Sequence, residues 1–70
     1  MHDVLLVNGN VSHVRILDVE GRVVRELGSP RGHTLTWDGT DNTGRQTGPG
    51  VYVIEMRSGS RVERRTVAKL

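Results

Sequence analysis

Hydrophobic and polar residues alternate along much of the chain, and this period of two predicts β-strands. Residues 33–37 show it most clearly, because Leu35 and Trp37 fall on one face while Thr34 and Thr36 fall on the other. No segment combines the helical period of 3.6 residues with a capping residue. The pattern therefore predicts an all-β chain.

Clusters of turn-forming residues separate the hydrophobic runs at intervals of about ten residues. Asn8-Gly9 favours a tight hairpin turn after the first run, and Gly21 suits the left-handed position of the next turn. The predicted strands span residues 3–7, 11–19, 22–27, 33–37, 51–57 and 61–70. Short strands at this spacing indicate a small antiparallel β-sandwich.

The inward faces of these strands define the expected core. Its members are Val14, Ile16, Leu35, Trp37, Tyr52, Ile54 and Met56. Because the chain has one Trp and no Phe, Trp37 should be the largest side chain in the core. The last strand is polar, which is typical of a sheet edge, where charge discourages pairing with other chains.

The stretch between the only Trp and the only Tyr predicts a long structured loop, residues 38–50. Asp38, Asp41 and Asn42 offer oxygen ligands of the kind that calcium prefers. Their spacing does not match an EF-hand, because counting from Asp38 puts Pro49 where the bidentate Glu belongs. Asp and Asn more often close turns by accepting hydrogen bonds from the backbone two residues on. We therefore expect a loop held by its own side chains, without a metal.

Charge is unevenly distributed along the chain of 70 residues, whose net charge is +2. Residues 57–70 hold five basic residues against one acidic residue. This is either the solvated face of a final strand or a docking surface for an acidic partner. No aromatic residue accompanies the basic ones in this segment, which argues against nucleic-acid binding.

No arrangement of residues predicts catalysis. Ser12 and His13 are strand neighbours that point to opposite faces, so they cannot form a nucleophile and base pair. The chain has no Cys, no glycine-rich phosphate loop opening a helix, and no apolar run of about 20 residues. We expect no catalytic residues, no cofactor, no metal, no small-molecule substrate and no membrane span.

Four pieces of the chain together form a recognisable pattern. They are residues 14–24 with the Gly21-Arg22 turn, then Trp37-Asp38-Gly39-Thr40-Asp41 with Gly44, then Gly50-Val51-Tyr52, and the closing basic and apolar run 64–70. In this combination the chain resembles the Ig-like C-terminal sorting domains of the bacterial type IX secretion system. It equally resembles the related Ig-like domain of the flagellar hook-capping protein.

The resemblance implies a single Ig-like β-sandwich of about six to seven strands over residues 1–70, forming the C-terminal part of a longer protein. A sorting domain is recognised by the outer-membrane translocon, passes through the periplasm, and leaves its cargo secreted or on the cell surface. The recognition residues would be Arg64, Arg65, Val67, Ala68, Lys69 and Leu70. The structural loop residues would be Trp37, Asp38, Gly39, Asp41, Gly44, Gly50 and Tyr52. The alternative is an Ig-like spacer or protein-binding module of a secreted enzyme or a hook-cap-like scaffold.

Overall fold

The computed structural model describes residues 3–6, 11–30 and 34–70, and within them it contains strands and turns but no helix. The strands are β1 (Asp3–Leu6), β2 (His13–Leu17), β3 (Val23–Gly28), β4 (Thr34–Trp37), β5 (Gly50–Ser58) and β6 (Arg61–Lys69). All strand pairs are antiparallel. The prediction of an all-β, antiparallel fold is confirmed.

The strands form two sheets. One has four strands in the order β3-β2-β5-β6, and the other pairs β1 with β4. The longest pairing is the β5–β6 hairpin, which runs in register from Gly50 opposite Lys69 to Ser58 opposite Arg61. Within the described residues, β3 and β6 are therefore the edges of the four-stranded sheet.

The core lies between the inward faces of β2 and β5 and the side chains of β4. The buried cluster contains Val14, Ile16, Leu35, Trp37, Ile54 and Met56, as the alternation predicts. Tyr52 is half-buried against this cluster, with its ring centroid 5.3 Å from that of Trp37 in an edge-to-face arrangement. Trp37 is 1% exposed and is among the largest fully buried side chains.

The inward face of β6 is largely uncovered. Arg61, Glu63 and Arg65 are exposed, although Glu63 and Arg65 lie opposite the buried residues Met56 and Ile54 of β5. The two-stranded sheet thus covers the part of the four-stranded sheet nearer β2. An Ig-like sandwich of six to seven strands stays a prediction.

Two features of the first half differ from the prediction. β2 ends at Leu17, and Val19 is 72% exposed in a turn, because Asp18 Oδ1 accepts hydrogen bonds from the backbone N–H groups of Glu20 and Arg22. Val19 therefore does not belong to a strand face. The predicted Asn8-Gly9 turn lies outside the described residues, and β1 pairs with β4 rather than with β2.

Candidate functional site

Two aspartates hold the 38–50 loop from within. Asp38 Oδ1 accepts hydrogen bonds from the backbone N–H of Thr40 at 3.0 Å and from its hydroxyl at 2.5 Å. Asp41 Oδ1 accepts the same pair from Thr43, at 2.9 and 2.6 Å, and a third bond from the N–H of Arg45 at 3.1 Å. These are the side-chain turns that the sequence predicts for the loop.

The same hydrogen bonds shift the acidity of both carboxyl groups. The Thr40 hydroxyl, with the Thr40 N–H, holds the pKa of Asp38 below its ordinary value. The Thr43 hydroxyl does the same for the pKa of Asp41. In each case the charged carboxylate is the better acceptor, so the ionised form is favoured. Within the described residues no group of three or more His, Asp or Glu side chains is placed to hold a metal ion, and a metal-free loop stays a prediction.

Aromatic residues fix both ends of the loop. Trp37 Nε1 donates a hydrogen bond to the carbonyl oxygen of Thr40 at 2.9 Å. The Tyr52 hydroxyl donates to the carbonyl oxygen of Gly48, four residues upstream, at 2.6 Å. A tyrosine at a strand start that bonds back to the upstream backbone is typical of Ig-like sandwiches. Both anchors join the buried core to the loop backbone.

Glycines let the loop backbone turn where other residues would be strained. Gly39 has a φ of +82° and Gly44 a φ of +88°, in the left-handed region. A Cβ atom on Gly39 would also lie 2.9 Å from Cε of Lys69. Gly50, the last residue of the loop, is the first residue of β5.

Lys69 connects β6 to the loop. Its Nζ donates hydrogen bonds to the carbonyl oxygen of Gly39 at 3.1 Å, to Oε1 of Gln46 at 3.1 Å and to Oγ1 of Thr47 at 2.9 Å. The carbonyl oxygen of Thr47 is a fourth acceptor, and because an ammonium group has three N–H donors, two of the four oxygens share one of them. The sequence contains no local signal for this contact, because the partners are 22 to 30 residues away.

A second polar cluster lies on the face of the four-stranded sheet that points away from the core. Glu55 is only 4% exposed, and its carboxylate accepts a hydrogen bond from Arg15 Nε at 2.7 Å and one from Arg64 Nη2 at 3.1 Å. These residues lie opposite one another on β2, β5 and β6. The hydrogen bond from Arg15, with that from Arg64, holds the pKa of Glu55 below its ordinary value in spite of burial.

The structure divides the predicted recognition residues into two groups. Arg64 and Lys69 are engaged in contacts with Glu55 and the loop, and Val67 packs against the core. In the described part of the chain, the others have no contact with Glu55, the loop or the core: Arg65, which forms an ion pair with Glu63 at 3.2 Å, Ala68, and Leu70 beyond β6, and all three are exposed, as is Arg64. Their role in recognition stays a prediction.

Comparison with known proteins shows a match to one protein family. A family model described as the FlgD Ig-like domain matches residues 7–61, well over half of the chain. No curated protein and no solved structure matches the chain. The matched range includes the loop and strands β2 to β5, and it ends at the first residue of β6. No helix long and apolar enough to span a membrane occurs among the described residues.

Proposed function

The chain belongs to the FlgD Ig-like domain family, and from this premise we propose that it is a non-catalytic, protein-binding Ig-like module of an exported assembly, of the flagellar hook-cap type. Its fold in this proposal is a small Ig-like β-sandwich with the 38–50 loop as a rigid structural element. The proposal gives it a protein partner, and no cofactor, nucleic acid or small-molecule substrate.

The observation that carries the proposal is the free edge of β6. The strand is nine residues long, and in the described part of the chain it pairs with β5 alone. Its first six residues, 61–66, are all exposed. An exposed edge offers backbone N–H and C=O groups to an extended segment of another protein, which then adds a strand to the sheet.

Charge selects the kind of segment that would pair with this edge. Arg61 opens β6 and Arg57 lies in the neighbouring strand opposite Val62, and both arginines are exposed. Glu63 forms its ion pair with Arg65, so it offsets the charge of Arg65 rather than that of the other two arginines. An acidic extended segment complements the remaining positive charge, which speeds association and disfavours basic competitors.

The test is a titration of the domain with two blocked model peptides, one alternating Glu with Val and the other alternating Lys with Val, followed by amide chemical shifts. The acidic peptide should shift amides of β6, and added salt should weaken its binding. Arg61→Glu should weaken the binding severalfold. Arg22→Glu is the matched control, because it makes the same charge change at a side chain that is 72% exposed in the β2–β3 turn.

Two results would overturn the docking proposal. Equal weakening by Arg61→Glu and Arg22→Glu would mean attraction to overall charge rather than to the β6 edge. Shifts confined to β3, the other edge of the four-stranded sheet, would move the docking site there.

Type IX sorting is the second candidate, and the exposure of Ala68 and Leu70 on the folded domain favours it. The test fuses the domain to a periplasm-targeted reporter in a bacterium with type IX machinery. The intact fusion should reach the cell surface, and a fusion lacking residues 67–70 should remain in the periplasm. Gly39→Ala is the control, because its Cβ would lie 2.9 Å from Cε of Lys69 and would disturb the loop contact while keeping residues 67–70 unchanged.

The outcomes separate the candidates. If the intact fusion stays periplasmic, sorting fails and the scaffold module is the better account. If the truncated fusion is exported, the terminal run is not the signal. If Gly39→Ala is retained as strongly as the truncation, the loss of the loop contact rather than the loss of a signal explains retention.

A further inference from the structure

Four oxygen atoms of the 38–50 loop converge on one point. They are the carbonyl oxygens of Gly39 and Thr47, Oγ1 of Thr47 and Oε1 of Gln46, and all four lie within hydrogen-bond distance of Lys69 Nζ, whose three N–H groups they share. Three of these oxygens are uncharged backbone or amide groups and the fourth is a hydroxyl. Among the side chains that the structure describes, no carboxylate takes part in the contact.

The loop holds these oxygens in place through its own bonds. The N–H and the hydroxyl of Thr47 both donate to the carbonyl oxygen of Gly39, each at 2.9 Å. Gln46 Nε2 donates to the carbonyl oxygen of Asp38 at 3.4 Å, which leaves Oε1 facing Lys69. Thr40 and Gln46 form an isolated antiparallel bridge across the loop. None of these bonds involves β6.

From this geometry we propose that the 38–50 loop is a preformed binding site for a primary ammonium group, and that Lys69 is its resident occupant. An ammonium group carries three N–H donors and no acceptor, which suits a site made only of acceptors. Calcium favours carboxylate-rich sites with oxygens at about 2.3–2.6 Å, and three of these contacts are longer. The planar fork of an arginine does not fit converging single acceptors.

The site has a consequence for the pairing of β6. Side chains alternate between the two faces of a strand. A shift of two residues therefore leaves each side chain of β6 on the same face of the sheet and changes only which residue contacts the loop. In the observed register Lys69 lies opposite Gly50, beside the loop. A shift by two residues would bring Val67 to that position, and the side chain of Val67 has no donor. The ammonium site therefore supports the same register of β6 as the turn between β5 and β6 and the contact of Arg64 with Glu55.

The test is chemical rescue of thermal stability. Lys69→Ala should lower the melting temperature by several degrees. Ammonium chloride or methylammonium chloride should restore part of this loss in a saturable manner, whereas tetramethylammonium chloride, which has no N–H donor, should not. Lys69→Met keeps most of the apolar stem and should be less destabilised, which provides a folded second variant for the same titration.

Two control variants make the test specific. Arg65→Ala removes a cation from the same face of β6, where Arg65 contacts Glu63 rather than the loop, and it should show no selective rescue. Gly39→Ala in the Lys69→Ala background places a Cβ where the Lys69 stem lies, and it should abolish rescue. The proposal is overturned if Lys69→Ala melts like Arg65→Ala, or if tetramethylammonium restores stability as well as ammonium does.

Discussion

The 38–50 loop and β6 are both polar segments, yet their side chains are held in different ways. In the loop, Asp38 and Asp41 bond to groups two to four residues along the chain. In β6, Arg64 bonds to Glu55 nine residues away and Lys69 to partners 22 to 30 residues away. The loop therefore carries its own structure, whereas β6 acquires its position from the rest of the domain.

The two segments also differ in their match to the family model and in their burial. The FlgD Ig-like match covers the loop and ends where β6 begins. The loop is anchored in the core by Trp37, while most of β6 is exposed on both faces. Variants in the loop and its anchors should therefore change stability, and variants on exposed positions of β6 should leave it nearly unchanged.

The largest expected effect comes from the loop anchor. Trp37→Ala should lower the free energy of unfolding by about 3–5 kcal/mol, because it removes a large, fully buried side chain and leaves a cavity. Val62→Ala on β6, where the side chain is 45% exposed, should change it by less than about 0.5 kcal/mol. Urea unfolding followed by circular dichroism measures both free energies. Equal losses of stability would contradict the claim that the loop anchor contributes more to stability than exposed positions of β6.

The second effect tests the point where β6 contacts a buried carboxylate. Glu55→Gln should cost about 1–3 kcal/mol, because it weakens charged hydrogen bonds to Arg15 and Arg64 at a buried position. Glu63→Gln, at a side chain that is 63% exposed, is the matched control and should have little effect. If the two variants unfold at the same urea concentration, the buried pairing does not hold β6.

Lowering the pH should measure the contribution of the same carboxylate, Glu55, to the stability of the domain. Because the folded-state pKa of Glu55 lies below its ordinary value of 4.5, its contribution to stability is present above that pH and is lost as the pH falls through the folded value. Asp38 and Asp41 have the same sign, with an ordinary value of 3.8. Thermal melts between neutral pH and pH 3 should therefore show falling stability, and Glu55→Gln should flatten the upper part of the curve.

A smaller effect tests whether the loop needs a metal. Asp38→Ala should lower the melting temperature because it removes the acceptor for two Thr40 donors, and Asp38→Asn should lower it less because an acceptor oxygen remains. Excess chelator should leave the wild-type melting temperature unchanged. A rise of several degrees on adding millimolar calcium would show that the loop is a metal site.

The smallest effect is expected for the exposed ion pair of β6. Arg65→Ala should change the free energy of unfolding by about 0–1 kcal/mol, because both Arg65 and Glu63 remain well solvated. Urea unfolding at low and high salt checks this. A larger loss would mean that β6 contributes more to the fold than its exposure indicates.

The sequence predicts those parts of the structure that depend on neighbouring residues. The turns at Asp38 and Asp41 follow from a short side chain bonding to a backbone two residues on. The burial of Leu35 and Trp37 follows from strand alternation. Sequence alternation alone extends β2 to Val19, where the Asp18 turn ends it earlier.

The sequence does not predict the contacts that form between distant strands. Glu55 lies in a run of alternating residues on the face that the pattern treats as polar, and its burial depends on Arg15, 40 residues away. Lys69 reads as a surface charge of the last strand, yet it fills a site in the loop. Both depend on the register of strand pairs, which alternation alone leaves open.

The placement of Lys69 also affects how the domain responds to mechanical tension. The β5–β6 hairpin turns between Ser58 and Arg61, and Gly50 and Lys69 form its open end. A pulling force applied at Leu70 would act on this open end. The hydrogen bonds between β5 and β6 would then break one after another, beginning beside Lys69. The rate of forced unfolding depends on the barrier to that first step. We therefore expect the contacts of the Lys69 side chain to determine the lifetime of the β5–β6 pairing under a constant pulling force.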